Sequence, residues 1–466
     1  MVARAAVVEL NAEVLEHLSA YVSEFMADFG LIVRRYWAEV YLQGLFLDGE
    51  RKSIQPLAQR VTVPGWSGDT MQALQQFVNQ SAWDEQAVLR TYRRLLAASL
   101  ADPSGVIVID DTGFAKKGRH SVGVARQYSG TLGKTDNCQV AVSLHYVAPL
   151  GDYPLALRLF LPEEWTQQSE RLASVGVPIA ERAPKTKSEI ALEALDVIRD
   201  EGLPHQAVVA DAGYGAGGEF RRGLERRGET YVVGVSGQEV VFRRAPTWEV
   251  RKAAVTRGRP SSRWYLTVET PAPVSIKDLA QHLKRRSFSW RVGTKGALAA
   301  EFAWVRVWPA HDWQKGRAAR DVPNTRTEAR WLLVEWRRDG SIRYALSNLP
   351  AGTSLAKAAS LWKTRWHVEQ GRGSGRGESR LSAPRAEPGV RLSRTGLPRT
   401  DRSSGRVGKL DPRVRQTWLR KPKPRFGVQT GPVGGSAATL AAAPERPHPE
   451  SLYPLTHCAE FGRAEP

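Results

Sequence analysis

Residues 106–114 read VIVIDDTGF, a short apolar run followed by two acidic residues. A run of this length without polar alternation predicts a strand that is buried on both faces of a sheet. Residues 207–215 read AVVADAGYG and repeat the pattern, with apolar residues followed by an acid and a glycine turn. We expect the two strands to lie side by side, so that their terminal carboxylates meet at one edge of the sheet.

The segments around these two strands predict a mixed sheet with helical crossovers. Apolar periodicity gives further strands at 139–147, 154–161 and 230–236, and helices at 187–202 and 219–228. The order strand, strand, strand, helix, strand, helix, strand is typical of an antiparallel meander followed by parallel strands. We therefore predict an α/β fold with its core in residues 104–236.

The regions outside this core differ from it in composition. In residues 1–103 apolar residues recur at three- and four-residue spacing, which predicts a helical N-terminal domain that binds DNA or packs as a cap. Residues 237–350 predict a β-rich insertion and contain eight of the 15 tryptophans. The segment 351–370 contains a predicted helix at 355–370, which Ser354 can cap. Residues 371–466 form a tail of different character.

The overall charge indicates a polyanionic partner. The chain has a formal net charge of +19 and a sequence pI of about 10.1, which is typical of proteins that bind nucleic acids. Its two cysteines, Cys138 and Cys458, are too few for a disulfide framework and fit a reducing compartment. No apolar run reaches the roughly 18–20 residues of a membrane span, and Glu9, Glu13 and Glu16 argue against a signal peptide. We expect a cytoplasmic protein without membrane contact.

Four carboxylates are candidates for chemistry on a phosphate backbone. Asp110 and Asp111 end the first strand, Asp211 ends the strand beside it, and Glu369 lies on the last predicted helix, on the same face as Arg365. Carboxylate oxygens are the ligands that Mg²⁺ prefers, with Mn²⁺ as a substitute, and two-metal sites of this kind serve phosphodiester cleavage. Each acid also has an ordinary explanation, as a turn former, a helix cap or a solvated surface residue.

Basic residues follow the first acidic strand end. Segment 114–134 reads FAKKGRHSVGVARQYSGTLGK and contains candidates for phosphate contacts, namely Lys116, Lys117, Arg119, Arg126 and Lys134. Together with Arg365 they would hold DNA beside the metal. A mobile, solvated loop is the alternative interpretation of this segment.

Three motifs together resemble the DDE transposases of bacterial insertion sequences, in the branch with a β-rich insertion: VIDDTGFAKKGRHSVGVARQYSGTLGKTDNCQVAVSLHYV, VVADAGYG and WKTRWHVEQ. The resemblance covers about residues 10–370. It implies a ribonuclease-H-like catalytic core, Mg²⁺-dependent cleavage of transposon-end DNA and strand transfer into target DNA. It places the metal-binding acids at Asp110, in preference to Asp111, and at Asp211 and Glu369. The implied partners are transposon ends and target DNA at the nucleoid, with a homodimer assembled on the DNA.

The third motif departs from the family pattern at its end. The branch carries a Tyr-Arg-Glu-Lys signature, and its positions hold Trp362, Arg365, Glu369 and Arg376 here. Arg376 lies in GRGSGRG, where the family has a continuing helix, and each glycine in a helix costs about 1 kcal/mol relative to alanine. From residue 370 onward the chain has 13 Gly, 12 Pro and no Ile, a composition typical of disorder.

This change of composition motivates the hypothesis that a frameshift at or just after codon 370 replaced the native C-terminus. Translation of the other two reading frames tests it, because one of them should continue the amphipathic helix. Catalytic activity is then uncertain, and a non-catalytic DNA-binding remnant of a transposase is the alternative function. RNA binding by the Arg/Gly-rich tail is disfavoured, because the tail lacks interleaved aromatic residues and regular repeats.

Overall fold

The computed structural model describes residues 11–47, 49, 51–216, 218–250, 264–293, 296–310 and 328–368, with the backbone alone at 250, 264, 292 and 293. Glu369, Arg376 and the predicted tail lie outside the described residues. Within the described ranges, no helix is both long enough and apolar enough to span a lipid bilayer.

The helices and strands have the following bounds, each set given in chain order. The helices are α1 (Ala12–Ser23), α2 (Met26–Phe29), α3 (Ile32–Phe46), α4 (Ile54–Ala58), α5 (Thr70–Asn79), α6 (Glu85–Ser99), α7 (Glu163–Thr166), α8 (Ser169–Ser174), α9 (Lys187–Asp200), α10 (Ala212–Gly215), α11 (Glu219–Arg226), α12 (Ile276–Gln281) and α13 (Leu355–Lys363). The strands are β1 (Val106–Ala115), β2 (Ala125–Ser129), β3 (Lys134–Ala148), β4 (Gly151–Leu159), β5 (Ala207–Ala210), β6 (Tyr231–Val235), β7 (Val240–Phe242), β8 (Trp248–Val250), β9 (Trp264–Leu266), β10 (Val274–Ser275), β11 (Arg286–Gly293), β12 (Gly296–Pro309), β13 (Arg330–Trp336) and β14 (Ile342–Ser347).

Most of the described strands form one mixed sheet. Its order is β10-β7-β12-β13-β14-β6-β5-β1-β3-β2, with β11 beside β12 and β4 beside β3. β1, β3 and β4 pair antiparallel, whereas β1, β5 and β6 pair parallel. The predicted meander and the predicted parallel strands are therefore confirmed, and this mixed α/β arrangement fits a ribonuclease-H-like core.

Side-chain alternation along β1 defines two faces of the sheet. Ile107 and Ile109 pack with α9 and α11, and we call this side the α9 face. Val106 and Val108 pack with α13, and we call this side the α13 face. Because helices cover both faces, the first four residues of β1 and all of β5 are apolar and buried, as the sequence pattern predicted.

Most strands of the β-rich region extend the central sheet, whereas β8 and β9 pair antiparallel in a small separate sheet. β14 pairs antiparallel with β6, and β13 and β12 follow at the same edge. The rings of Trp304 and Trp331 stack with centroids 4.6 Å apart. Their indole N–H groups donate to the carbonyls of Thr353 and Pro350 at 3.0 and 3.3 Å. The aromatic residues of this region thus fix the chain just before α13 begins. The predicted start of the β-rich insertion at residue 237 stays a prediction.

The helices α1–α6 enclose an apolar cluster that includes Trp37 and Phe77. Short polar side chains cap three of these helices, because Asn11, Asp69 and Asp84 each accept hydrogen bonds from the first backbone N–H groups. The helical pattern that the sequence predicted for this region is observed. Its independence as a DNA-binding domain stays a prediction.

A buried ion pair joins α6 to the central sheet and α9. Arg93, which is 5% exposed, donates from Nε and Nη2 to the two carboxylate oxygens of Glu201 at 2.5 and 2.6 Å. Its Nη1 donates to the carbonyl of Leu155 in β4 at 3.2 Å. Removing one partner of such a pair leaves the other charge without compensation, which destabilises the fold strongly.

A second charged cluster lies where β5 and β6 begin. The Nδ1 of His205 lies 2.9 Å from the Leu203 carbonyl, and its Nε2 lies 2.9 Å from Glu229 Oε2. Both neighbours are acceptors, so the imidazole fits best with both nitrogens protonated. Burial lowers the pKa of His205, but the bonds to Glu229 and Leu203 and the Glu229 charge outweigh it and raise the pKa above its ordinary value. Arg199, 2.8 Å from Glu229, opposes part of this rise.

We predict that Arg93→Met lowers the free energy of unfolding by about 2–4 kcal/mol, because Glu201 loses both of its bonds to the guanidinium. Glu201 is 24% exposed, which moderates the loss. Arg90 lies on the same helix and is 60% exposed, so Arg90→Met should change stability by less than about 1 kcal/mol. Urea denaturation followed by circular dichroism measures both variants, and equal effects would contradict the buried role of Arg93.

The charge on His205 should make part of the stability depend on pH. A group whose pKa is raised by folding stabilises fully below its unfolded pKa, about 6.5 for histidine, and loses this contribution as the pH rises through its folded pKa. The difference in unfolding free energy between the native protein and His205→Gln should therefore shrink as the pH rises above about 6.5, the unfolded pKa of histidine. Urea titrations at several pH values measure it; a difference that grows with pH would rule out this role.

Candidate active site

The parallel pairing of β1 with β5 brings together the strand ends that carry the first predicted acids. The register aligns Ile109 with Ala210, so that Asp110 and Asp211 follow at neighbouring positions. Neighbours in an in-register parallel pair point to the same face of the sheet, because successive residues alternate in both strands. We infer from this alternation that Asp211, which directly follows β5, lies with Asp110 at the end of the α13 face. The predicted adjacency of the two strand ends is confirmed.

Asp110 and Asp111 point to opposite faces of the sheet. Asp110 is 5% exposed and follows Val108 on the α13 face, and its Oδ1 accepts the backbone N–H of Asp111 at 2.8 Å. Ser143 on β3 donates its hydroxyl to the Asp110 carbonyl at 2.8 Å. Asp111 follows Ile109 on the α9 face. The alternation of β1 thus separates two acids that are adjacent in sequence.

Asp111 is engaged by two side chains on the α9 face. Lys187 Nζ lies 2.5 Å from Asp111 Oδ2, and the Tyr214 hydroxyl donates to Asp111 Oδ1 at 2.6 Å. Burial raises the pKa of Tyr214 well above its ordinary value, and the negative charges of Asp111, Asp211 and Asp110 raise it further. The hydroxyl therefore remains a donor, and both oxygens of Asp111 have partners.

Asp211 is held by a tightly packed turn. It caps α10, because its Oδ1 accepts the backbone N–H of Gly213 at 2.9 Å. A Cβ on Gly215 would lie 1.7 Å from the Gly234 carbonyl oxygen, and a Cβ on Gly234 would lie 2.6 Å from a backbone nitrogen of α10. Glycine at both positions therefore allows α10 to lie directly on β6. Buried Arg221 donates to the Gly215 carbonyl at 2.7 Å and fixes the far end of the turn.

A buried glutamate docks α13 on β13. Glu335, which is 1% exposed, accepts the indole N–H of Trp362 at 2.8 Å and the ammonium of Lys363 at 2.6 Å. Burial raises the pKa of Glu335, but Lys363, Arg337 and Trp362 outweigh this effect and hold the pKa below its ordinary value. Lys363 Nζ also lies 4.1 Å from the ring centroid of Trp290 in β11. The β-rich region thus holds the helix that leads to the third predicted acid.

The last predicted helix is interrupted at Thr364. α13 begins at the predicted cap, Ser354, which accepts a backbone N–H at 3.2 Å. It ends at Lys363, and residues 365–368 are helical again. The Thr364 hydroxyl donates to the Leu361 carbonyl at 2.7 Å, a local bond that competes with the regular helical pattern. The single helix predicted for 355–370 is therefore corrected to two helical pieces within its described part.

The residues beyond this interruption continue along the α13 face. Arg365 is half-buried, and its guanidinium carbon lies 4.9 Å from the ring centroid of Trp362. Val368 is buried in the same cluster as Trp362. Glu369 lies outside the described residues, so its place beside Asp110 and Asp211 stays a prediction. Within the part of the chain that the structure describes, no three His, Cys, Asp or Glu side chains are grouped as metal ligands.

The basic segment 114–134 is more regular than the predicted loop. Its first two residues belong to β1, β2 lies in its middle, and Lys134 begins β3. Asn137 donates to the carbonyls of Lys116 and Gly118 at 2.7 and 3.1 Å. The buried indole of Trp165 donates to the Val124 carbonyl at 2.8 Å. The alternative interpretation as an unstructured loop is therefore wrong for the β2 part of the segment.

The predicted phosphate contacts differ in how available they are. Four of these basic side chains are exposed, namely Lys117, Arg119, Arg126 and Lys134. The side chain of Lys116 is half-buried. Lys134 lies 3.0 Å from Asp136, so part of its charge is already compensated. The other exposed cations are better candidates for phosphate contacts than Lys134.

Sequence reasoning missed Lys187, Tyr214 and Glu335. A lone acid inside the apolar run WLLVEW (331–336) is a signal that could have identified Glu335, because a buried carboxylate requires a charged or hydrogen-bonding partner. Tyr214 lies three residues after Asp211, within the same motif. Lys187 begins a helix far along the chain, and no local pattern connects it with Asp111.

The arrangement of acids at adjacent strand ends of a mixed α/β sheet is consistent with the family that the sequence comparison identifies. The family model of the DDE superfamily endonucleases matches residues 24–297, more than half of the chain, and the chain belongs to this family. The match includes Asp110, Asp111 and Asp211 and ends before Arg365.

One curated relative is a probable transposase for insertion sequence element IS701 from Microchaete diplosiphon. It is 32% identical to this chain over 212 residues, which are 45% of this chain and 51% of that protein. The similarity thus spans about half the length of the relative.

We predict that Gly234→Ala lowers the free energy of unfolding by about 1–3 kcal/mol. The new Cβ, 2.6 Å from a backbone nitrogen, must push α10 away from β6. Gly352→Ala is the matched control, because a Cβ there meets nothing within 4 Å, and its effect should stay within about 1 kcal/mol. Urea denaturation measures both variants. If Gly234→Ala is as mild as Gly352→Ala, the close packing of α10 on β6 is not needed.

Proposed function

We propose that the chain is a transposase of a bacterial insertion sequence, which cleaves transposon-end DNA and joins it to target DNA with a divalent metal ion. The observation that carries this proposal is the in-register pairing of β1 with β5, which leads to Asp110 and Asp211 at one end of the α13 face. Membership of the endonuclease family and the similarity to the IS701 transposase support the same reaction.

The proposed metal ligands are Asp110 and Asp211, with Glu369 as the third. Carboxylate oxygens at adjacent strand ends suit Mg²⁺ or Mn²⁺, which are hard cations that prefer oxygen donors. A metal bound there would activate the attacking water and stabilise the leaving oxygen. Asp111 is the weaker candidate, because its two oxygens already contact Lys187 and Tyr214.

DNA would reach this site across the basic segment 114–134. Lys116, Lys117, Arg119 and Arg126 would hold phosphates, and Lys134 would add less because of its ion pair with Asp136. Arg365 would contact a phosphate or orient Glu369 from the α13 side. The predicted helical domain at 1–103 would add further contacts to the transposon end. We also propose that the chain acts as a homodimer on the DNA, in the cytoplasm at the nucleoid.

A non-catalytic DNA-binding remnant is the second candidate function. The observation that favours it is the change to a Gly-, Arg- and Pro-rich sequence directly after Gln370. The family match covers the positions of Asp110 and Asp211 but ends at residue 297, so the proposal of Glu369 as the third acid depends on the WKTRWHVEQ motif alone. A frameshift at this point would leave the DNA-binding residues intact and remove whatever normally follows Glu369.

Cleavage and binding assays on the same DNA distinguish the two functions. The substrate is a labelled duplex with the end sequence of the insertion element that encodes the chain, in Mg²⁺ buffer. Asp110→Asn and Asp211→Asn should each abolish cleavage, because each removes a charged metal ligand. DNA affinity should stay within about threefold, since neither acid contacts phosphate.

Asp200→Asn serves as the control, because Asp200 is an exposed acid at the end of α9. It should leave both cleavage and binding unchanged. Cleavage that survives in Asp110→Asn or Asp211→Asn would refute the assignment of the acids. Specific binding without cleavage by the native protein would select the non-catalytic remnant.

A further inference from the structure

We propose that Tyr214 is a positioning residue of the metal site: its hydroxyl ties the strand end that carries Asp110 to the turn that carries Asp211. This inference rests on the proposed function, since it concerns the acids assigned there to the metal. Tyr214 itself would touch neither metal nor DNA. Its role would be to set the separation of the two acids.

Short contacts define both ends of this connection. The Tyr214 hydroxyl donates to Asp111 Oδ1 at 2.6 Å, and Asp111 directly follows Asp110 in β1. The backbone N–H of Tyr214 donates to the Asp211 carbonyl at 3.3 Å, within the α10 turn. A single residue therefore spans from β1 to the turn that follows β5.

Packing prevents the turn from moving independently of this bond. The Tyr214 ring is buried in the core of the α9 face, with its centroid 5.4 Å from that of Phe220. On its other side α10 lies directly on β6 at Gly234. Any shift of α10 along the sheet must break the hydrogen bond to Asp111, disrupt the packing of the Tyr214 ring, or press α10 against the backbone at Gly234.

Lys187 keeps Asp111 in this supporting role. Its Nζ lies 2.5 Å from Asp111 Oδ2 and supplies a positive charge. The capping box formed by Thr186 and Glu189 fixes the start of α9, and so the position of Lys187. Without this charge, the carboxylate of Asp111 would repel those of Asp110 and Asp211 more strongly.

A second buried tyrosine provides a matched control. Tyr231 begins β6, and its hydroxyl donates to Glu225 at 2.7 Å. Glu225 also pairs with Arg330 at 2.9 Å, and this cluster lies at the end of β6 away from Asp211. Loss of either hydroxyl removes one buried bond to a carboxylate, but only the Tyr214 bond is connected to the proposed metal site.

The test measures metal binding and cleavage on the full chain. Mn²⁺ binding is followed by electron paramagnetic resonance of the free ion, and the Mg²⁺ dependence of cleavage is measured on the end duplex. Tyr214→Phe should raise the apparent Kd for Mn²⁺ and the half-maximal Mg²⁺ concentration by about tenfold, as is typical when the support of a metal ligand is lost. Tyr231→Phe should change neither value.

Two variants of Asp111 separate its supporting role from that of a ligand. Asp111→Asn keeps an acceptor for the Tyr214 hydroxyl and should retain Mn²⁺ binding, whereas Asp110→Asn should lose it. Asp111→Ala removes the acceptor and should match Tyr214→Phe. The double variant Asp111→Ala/Tyr214→Phe should bind Mn²⁺ no more weakly than either single variant, because both substitutions remove the same hydrogen bond. Asp111→Ala also reports the loss of this bond if Tyr214→Phe does not fold.

The outcomes separate this inference from the proposed function. Equal Mn²⁺ affinity in the Tyr214→Phe and Tyr231→Phe proteins would overturn the inference and leave the proposed function intact. Loss of Mn²⁺ binding in Asp111→Asn would overturn it as well, because Asp111 would then be a ligand. If the native protein neither binds Mn²⁺ nor cleaves DNA, the proposed function fails and the inference fails with it.

Discussion

The in-register parallel pairing of β1 with β5 is the constraint on which the rest of the site depends. It aligns Ile109 with Ala210 and so leads to Asp110 and Asp211 at neighbouring positions. A shift of one residue would send one of the acids to the opposite face, because side chains alternate along a strand. The covered apolar residues on both faces enforce the register, since a shifted strand would expose part of the core.

The surroundings of the acids are built from rigid contacts that belong to different parts of the chain. Gly234 lets α10 approach β6, and Arg221 fixes the end of the turn. On the other side of the sheet, Glu335 docks α13 through Trp362 and Lys363. A carboxylate that serves as a metal ligand needs this kind of support, because small displacements weaken both binding and catalysis. The β-rich region therefore contributes to the proposed site by holding α13, although its residues lie far from Asp110 and Asp211 in sequence.

The sequence predicted the strands and crossovers of the core correctly, because buried parallel strands leave a strong apolar pattern. It also predicted that the ends of β1 and β5 would meet. It did not predict β2, whose five residues include only two that are buried, so that its pattern is too weak to recognise. The partners of Asp111 could not be predicted either. Lys187 lies 76 positions from Asp111, and only the folded sheet brings the two together.

The position of the sequence change after Gln370 bears on what the chain can still do. The contacts that dock the last helical region involve Trp362, Lys363 and Val368, and all of them precede the change. These residues pack against β11, β12 and β13 and against central strands such as β1 and β5, which all precede the change as well. The proposed frameshift after residue 370 would therefore leave these docking contacts intact. Under the proposed function, catalytic activity then depends on whether Glu369, one residue past the buried Val368, is held in place by the residues before it alone.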